Sequence, residues 1–465
     1  MSTQEVSGSD ARGSVPTHEK AFELRTDTAR LTDLPDSEDH SMMEYDADLH
    51  LHSPYSIGVS SSMNLDGIVK AAKMKGLSIL GTGDATQKDW LRHLRSKLVS
   101  VDGALAYDGV HFIVTVEVED AESIHHIIIL PDLECVEVLR RELHSHSPNL
   151  DDHWGGRPRV SLSPSELAGT VRDIGGLLGP AHAFTPFKSL FREGKYDSLS
   201  SCYGDEASHI HFLELGLSAD TVIADHIPEL SRVTFITSSD AHSPSPDKLG
   251  REFVRLLVEG PTFHEVAMAL RREKGRRAVL NVGLDPKLGK YYLSFCSSCR
   301  RTLVFDESIS TPSHDELNVY VPIVSKEEMP ELLMAVHRRQ MKCPACGKRM
   351  RLGVRDRAIM LGTGQSRSPE HRPPYLHMPP LLEMMMTATD STKTSKKLLR
   401  EYETLVSKYG TETKILTGRY DSQLGEYSPR LAQLVRACRD GEVKLIPGGG
   451  GRYGKMVPPW GGDEN

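Results

Sequence analysis

No apolar run in the 465-residue chain reaches the ~18 residues that a membrane-crossing helix needs. The N-terminus is polar and acidic, without the basic and then apolar segments of a secretory signal. Seven cysteines give no even framework for disulfides. Four form the C-x-x-C pairs Cys296/Cys299 and Cys343/Cys346, and Cys135, Cys202 and Cys438 are scattered. This usage fits a reduced, cytoplasmic protein with a metal site. Excess positive charge is also missing, the net charge being −8. That deficit is local, however: residues 1–44 hold ten Asp and Glu against four Lys and Arg. Low apolar periodicity makes 1–43 read as a disordered acidic extension, with room for a short helix over 19–32.

At Tyr45 the texture changes. Asp46-Ala47-Asp48-Leu49-His50-Leu51-His52-Ser53 alternates in polarity, and two histidines one residue apart on a strand share a face, so their imidazoles can converge on one cation. Asn64 caps an expected helix that ends at Gly76. A buried strand over 77–80 then delivers Gly81-Thr82-Gly83-Asp84. Strands over 111–118, 126–130, 176–182, 211–216 and 233–237 deliver Glu117, the pair His125-His126, His182, Glu214 and Ser238-Ser239-Asp240-Ala241-His242. Helices over 90–99 and 163–174 separate them. Repeated strand–helix units imply a parallel α/β sheet, either barrel or doubly wound, and such folds collect their sites at strand C-termini.

Taken singly, these residues have ordinary explanations: Asp84 as a helix cap, Glu117 facing solvent, His182 buried and hydrogen-bonded. Taken together, strand ends that offer His, Asp and Glu without cysteine suit zinc, manganese, iron or magnesium. Carboxylates able to bridge cations ~3.5–4 Å apart point to more than one ion.

The series Asp48–Ser53, Gly81–Asp84, Glu117, His126, His182 and Ser239–Ser243 resembles the polymerase and histidinol phosphatase (PHP) superfamily. The resemblance implies a distorted seven-stranded α/β barrel over 44–288 with two or three divalent ions, zinc, manganese or magnesium. It makes His50, His52, Asp84, Glu117, His126, His182, Asp240 and His242 the ligands. Within the histidine pair, His126 is favoured because it leads directly into the apolar strand. Relatives usually offer a histidine soon after Asp84, where this chain has Gln87, which puts the third metal position in question.

In the second half, Arg271–Arg277 is a basic run closing the barrel domain. Cys296, Cys299, Cys343 and Cys346 have the spacing of one structural zinc in a module over 289–358, with a strand over 319–324 and a helix over 326–339 around it. Arg338, Arg339, Lys342, Lys348, Arg349, Arg351, Arg355 and Arg357 face a single acid, Asp356, so the module reads as a surface for a phosphate backbone. Then His371-Arg372-Pro373-Pro374-Tyr375-Leu376-His377-Met378-Pro379-Pro380 reads as a stiff, extended stretch, either a linker or a segment holding Arg, Tyr and His side chains at a surface. Helices over 381–387 and 396–409 and a glycine-rich loop, Pro447–Gly454, complete a helical domain over 359–465. The loop lacks the Lys-Ser/Thr of a P-loop, so nucleotide binding is not expected.

Barrel, four-cysteine module and helical tail together resemble the endonuclease Q family, which also shows Glu-x-Gly-Leu-Ser-x-Asp (Glu214–Asp220) and Lys-Leu-Gly-Arg-Glu (Lys248–Glu252). The resemblance covers roughly 45–458 and departs from the family at Gln87 and at the glycine run 448–451. It implies a DNA repair endonuclease that nicks 5′ to uracil, hypoxanthine, xanthine and abasic sites by attack of a metal-activated hydroxide. Asp240, Glu117, His182 and His242 would carry the chemistry, and Arg372, Tyr375 and Tyr453 would contact DNA after the damaged base is flipped out. The expected partner is lesion-containing DNA, bound by a monomer associated with the nucleoid; a replication clamp is a further candidate partner. Two competing readings are a small-molecule phosphoesterase of the histidinol phosphatase kind, which leaves the cysteine module without a role, and a non-catalytic zinc-dependent DNA-binding protein on a degenerate barrel.

Overall fold

The structure is a computed structural model, and it describes residues 42–304, 318–320, 328–362, 366–391 and 395–460. The expected acidic extension and its helix lie outside the described residues, apart from the last two positions. Among the described residues no helix is long and apolar enough to cross a membrane.

Eleven strands build the first part of the chain: β1 (Met43–Asp48), β2 (Ile79–Gly81), β3 (Val99–Val101), β4 (Ala104–Tyr107), β5 (Val110–Glu119), β6 (His125–Leu130), β7 (Leu177–Pro180), β8 (Phe212–Glu214), β9 (Thr234–Ile236), β10 (Phe253–Val258) and β11 (Arg277–Gly283). β1, β2 and β5 are parallel neighbours, as are β8 and β9. The pairs β5–β6, β6–β7, β1–β10 and β10–β11 are antiparallel, so the sheet is mixed rather than parallel. The reason is local at β5–β6. Asp120 Oδ1 accepts the N–H groups of Glu122 and Ile124 at 2.8 Å each, closing a tight hairpin where a helical crossover would have kept the strands parallel. β7 lies against β8 and β9 against β11, so the two-stranded sheet lies between two separated strands of the larger one.

Burial follows the two-residue period of the strands. Ala47, Leu49, Ile79, Ile113, Ile127, Ile129, Phe212 and Ile236 pack together in one cluster. Leu80, Phe112, Val114, Ile128 and Leu130 face the other way, in a second cluster with the helices. β6 is buried on both faces, which explains its unbroken apolar run.

Helices form where caps and stripes indicate them. Asn64 Oδ1 accepts the Gly67 N–H ahead of helix Leu65–Lys75, and Gly76 ends that helix in the left-handed region at φ 94°. Ser163 and Glu166 form a reciprocal capping box for Pro164–Asp173.

The four-cysteine module has short strands β12 (Phe295–Cys296), β13 (Thr302–Val304), β14 (Asn318–Tyr320) and β15 (Met350–Arg351), and helix Glu328–His337. β16 (Tyr375–His377) then returns to the large sheet and pairs in parallel with β11. Helices follow at Leu381–Ala388, Lys396–Tyr409, Glu412–Thr417, Asp421–Tyr427 and Pro429–Arg439. They are tied to the first part by a buried network. Lys75 Nζ donates to Glu412 Oε1 at 2.7 Å, and the Tyr402 hydroxyl donates to Glu412 Oε2 at 2.6 Å.

Candidate metal centres

Two ligand groups meet where the strands end, one of His50, His52 and Asp240 and one of Glu117, His125 and His182. His50 and His52 lie just past β1 rather than within it, and Leu51 bridges to Ala241. Three site residues hold left-handed backbones: Asp84 at φ 46°, His182 at φ 31° and Asp240 at φ 49°. Such conformations persist where surrounding structure fixes them, and they cluster at functional sites. Close approach of the strand ends also requires glycine, since a Cβ at Gly83 would collide with the Leu51 carbonyl.

Glu117 joins the two groups. Its Oε1 lies 2.7 Å from His125 Nδ1 and 3.1 Å from His182 Nε2, and its Oε2 lies 3.4 Å from His52 Nε2. Asp240 Oδ1 is 3.0 Å from His52 Nε2 and 3.7 Å from His50 Nε2. The buried His50 Nε2 has no hydrogen-bond partner and stands 3.7 Å from both Glu117 and Asp240. An orphaned imidazole nitrogen facing two carboxylates is what a cation site requires, so these residues fit a divalent ion.

An outer layer orients the ligands. Glu214 accepts from His50 Nδ1 at 3.0 Å and from the His182 N–H at 2.7 Å. Asp84 Oδ1 pairs with His52 Nδ1 at 3.0 Å, and its Oδ2 accepts from the Ser53 N–H and hydroxyl at 2.6 and 2.7 Å. Asp84 therefore sits behind His52, although sequence reasoning placed it among the ligands. Carboxylate partners of this kind fix the tautomer and aim of metal-ligating histidines. His242 Nδ1 donates to the Asp240 carbonyl at 2.9 Å, leaving Nε2 as the lone-pair nitrogen, and its ring lies tilted against His52 with 4.7 Å between ring centres.

Charge reinforces the geometry. Burial opposes protonation of His50, yet Glu214, Glu117 and Asp240 raise its pKa well above the ordinary value. Burial likewise opposes charge on His52, and Asp84 and Asp240 overcome it, raising the imidazole to about 9. Against burial, His125, His50 and Arg157 hold the Glu117 carboxyl well below its ordinary range. Burial and the neighbouring His52 lower His242.

The histidine pair resolves differently from the sequence reading. His125 shares the inner face of β6 with Ile127 and Ile129 and reaches Glu117, whereas His126 turns outward with Ile128. There His126 Nε2 meets Asp120 Oδ2 at 2.8 Å and Nδ1 meets the Tyr203 hydroxyl at 3.0 Å. Strand parity contains this distinction. Proximity to the apolar run does not. Gln87 is spent on structure, its Oε1 capping helix Lys88–Lys97 through the N–H groups of Asp89 and Trp90 at 2.8 Å each.

The four cysteine sulfurs form a second kind of centre, each within 4.8 Å of the others. Both pairs make a turn that aims N–H groups at sulfur or reverses the chain: the Ser298 and Cys299 N–H groups lie 3.4 Å from Cys296 Sγ, and Gly347 follows Cys346 at φ 69°. Burial pushes the Cys296 thiol up, but these N–H groups bring it down to about 7. Arg338, Arg339, Lys342, Lys348, Arg349 and Arg351 are exposed. Arg355 and Arg357 turn inward, onto Asp356 and Asp197.

The other expected DNA contacts separate. Arg372 is buried, with Nη2 at 2.8 Å from Asp225 Oδ1, hydrogen bonds to the Val233 and Leu230 carbonyls, and its guanidinium 3.4 Å from the Phe235 ring centre. Tyr375 is buried on β16, its hydroxyl donating to the Leu284 carbonyl. The prolines thus deliver a sheet strand, not a surface stretch. Tyr453 is 69% exposed beside Lys290 Nζ at 4.4 Å. Its glycine-rich loop packs tightly on the cysteine module, since a Cβ at Gly450 would strike the Arg300 carbonyl.

Residues 380–442 match the MJ0043 C-terminal domain family. The chain is 31% identical over 433 residues to the uncharacterized protein YqxK of Bacillus subtilis, covering 89% of this chain and 99% of that one. It is 33% identical over 280 residues to the uncharacterized protein MJ0043 of Methanocaldococcus jannaschii, which covers 59% of this chain but only 31% of that longer protein. Among solved structures, the lesion-specific endonuclease PfuEndoQ of Pyrococcus furiosus is similar at TM-score 0.77 and 36% identity, covering 90% of this chain and 96% of its own. A complex of Endonuclease Q with a 27-mer duplex bearing an abasic lesion at the active site is similar at TM-score 0.76 and 36% identity, covering 90% and 97%.

Proposed function

The chain belongs to the endonuclease Q family, and from that premise we propose that it is a metal-dependent endonuclease nicking DNA 5′ to uracil, hypoxanthine, xanthine and abasic sites. The observation that carries this reading is likeness along nine-tenths of the chain to a structure holding a duplex with an abasic lesion at its active site. The place of β8 and β9 between two separated strands of the larger sheet supports a closed PHP-type barrel around the site.

His50, His52, Asp240, Glu117, His125 and His182 would hold the divalent ions, and Cys296, Cys299, Cys343 and Cys346 a structural zinc. Bound ions supply an activated water and neutralise charge on the phosphate. The residues set the terms for that chemistry. Glu117, ionised at neutral pH, ties the two ligand groups to one spacing. Asp240 orients both His52 and, through its carbonyl, His242. The neutral Nε2 of His242, on the half-exposed side of the site, is placed to hold or pass a proton near the leaving oxygen. The exposed cations of the cysteine module are free to meet the DNA backbone, and Tyr453 is the remaining candidate for a base contact.

The test is incubation with Mn²⁺ or Mg²⁺ and labelled duplexes carrying one uracil, one hypoxanthine or one abasic site. A nick 5′ to the lesion is the expected product. Release of phosphate from a small phosphomonoester, with the duplexes intact, would replace this reading with that of a small-molecule phosphoesterase.

A further inference from the structure

An arginine enters the metal site from a loop that the metal-ligand chemistry does not explain. Arg157 Nη1 lies 3.0 Å from Glu117 Oε2 and 3.5 Å from His125 Nδ1. These are the side chain's hydrogen-bond contacts among the described residues, and both use Nη1, so Nε and Nη2 keep their donors. The side chain is 28% exposed while Glu117 is 1% exposed, which puts the guanidinium between the buried carboxylate and the open side of the site.

The loop that carries it is fixed at every step. The Gly156 N–H donates to the Tyr55 carbonyl at 3.1 Å, and the Pro158 carbonyl accepts from the Glu119 N–H at 2.9 Å. Asn149 clasps the arginine itself, its Nδ2 donating to the Arg157 carbonyl at 3.1 Å and its Oδ1 accepting the Arg159 N–H at 2.8 Å. A Cβ at position 156 would meet Ser56 Oγ and fall 2.7 Å from Asp84 Oδ2, so a side chain there would have to displace these buried groups.

A fixed guanidinium anchored through one nitrogen, with the rest of its fork open beside a cation site, suits a phosphate oxygen. We propose that Arg157 is a catalytic residue that orients Glu117 through Nη1 and donates its remaining N–H groups to a non-bridging oxygen of the scissile phosphate. In that place it would stabilise the charge that grows on the phosphoryl oxygens as the P–O bond breaks. This inference rests on the phosphodiesterase reading above.

The experiment compares wild type with Arg157→Met and Arg157→Lys under single-turnover conditions on the lesion duplex. The scissile linkage is either normal or an Rp or Sp phosphorothioate, and bound Mn²⁺ per chain is measured in parallel. Expected are a ~10²–10³-fold loss in Arg157→Met, unchanged Mn²⁺ content, partial recovery in Arg157→Lys, and collapse of the rate difference between the two diastereomers. A wild-type rate in Arg157→Met would overturn the proposal. So would a loss that follows Mn²⁺ content and is rescued by saturating Mn²⁺, because Arg157 would then only shape the metal site. If wild type nicks no lesion duplex, the family-based reading fails by itself, and the same variants on bis(4-nitrophenyl) phosphate decide the arginine separately.

Discussion

The two metal-binding regions are built by opposite means. The histidine–carboxylate centre draws its ligands from positions 50, 52, 117, 125, 182 and 240, each at or beside a strand end, buries His50, His52, Glu117 and His125, and backs its histidines with an outer layer of Glu214 and Asp84. The cysteine centre takes two short turns, leaves Cys346 exposed, and relies on N–H groups of its own turn to favour thiolate. The difference teaches that long-range assembly gives a site with fixed, competing charges suited to chemistry. Local assembly gives a site whose ion holds the chain together.

The largest expected effect that sharpens this contrast is at Asp240. Asp240→Asn should reduce nicking by at least ~10²-fold while affinity for lesion DNA, read by a gel or anisotropy titration, changes little. Unchanged nicking would remove Asp240 from the chemistry. Cys343→Ser should do the reverse: its module loses order, DNA affinity falls, and hydrolysis of a small diester such as bis(4-nitrophenyl) phosphate persists. If both activities fall together, the two centres are not separable.

Smaller, and aimed at the boundary between folding and function, is Arg372→Ala. It leaves Asp225 buried without its partner, a change that typically costs ~3–5 kcal/mol, visible as a lower Tm. DNA affinity of the folded fraction should match wild type, and a selective loss of affinity would return Arg372 to the DNA interface. Least in size is the effect at Glu252, a buried carboxyl behind the site that receives the Leu284 N–H at 2.9 Å. Burial pushes it up to about 8 from an ordinary 4.5. Between those pH values the folded chain binds a proton that the unfolded chain releases, so this group's contribution falls as pH rises through the window. Glu252→Gln should flatten the fall and raise Tm by a few degrees at pH 8.

Much of the site was legible because strand ends and turn residues announce themselves. The helix over 396–409 carries a clean apolar stripe and lies at Lys396–Tyr409. The cysteine spacing alone identifies the four sulfurs that converge. What escaped depends on tertiary placement. His125 and His126 are chemically identical, and only the inward parity of Ile127 and Ile129 separates them. Arg372 and Tyr375 have a surface-like composition, yet β11 offered an open edge that β16 filled, carrying both residues inside. Arg157 sits in a loop with no periodicity, so no pattern marks it.

The Lys75–Glu412–Tyr402 network bears on how such a chain can be divided by evolution or by the bench. The segment 380–442 recurs as a recognisable family unit, yet Glu412 within it meets a lysine 337 positions earlier, out of contact with water. Cutting between the two would separate the partners of this buried ion pair and leave each fragment with a charged group placed to meet a partner it no longer has. The tail thus carries, in Glu412, a contact whose complement lies in the helix Leu65–Lys75 of the first part of the chain.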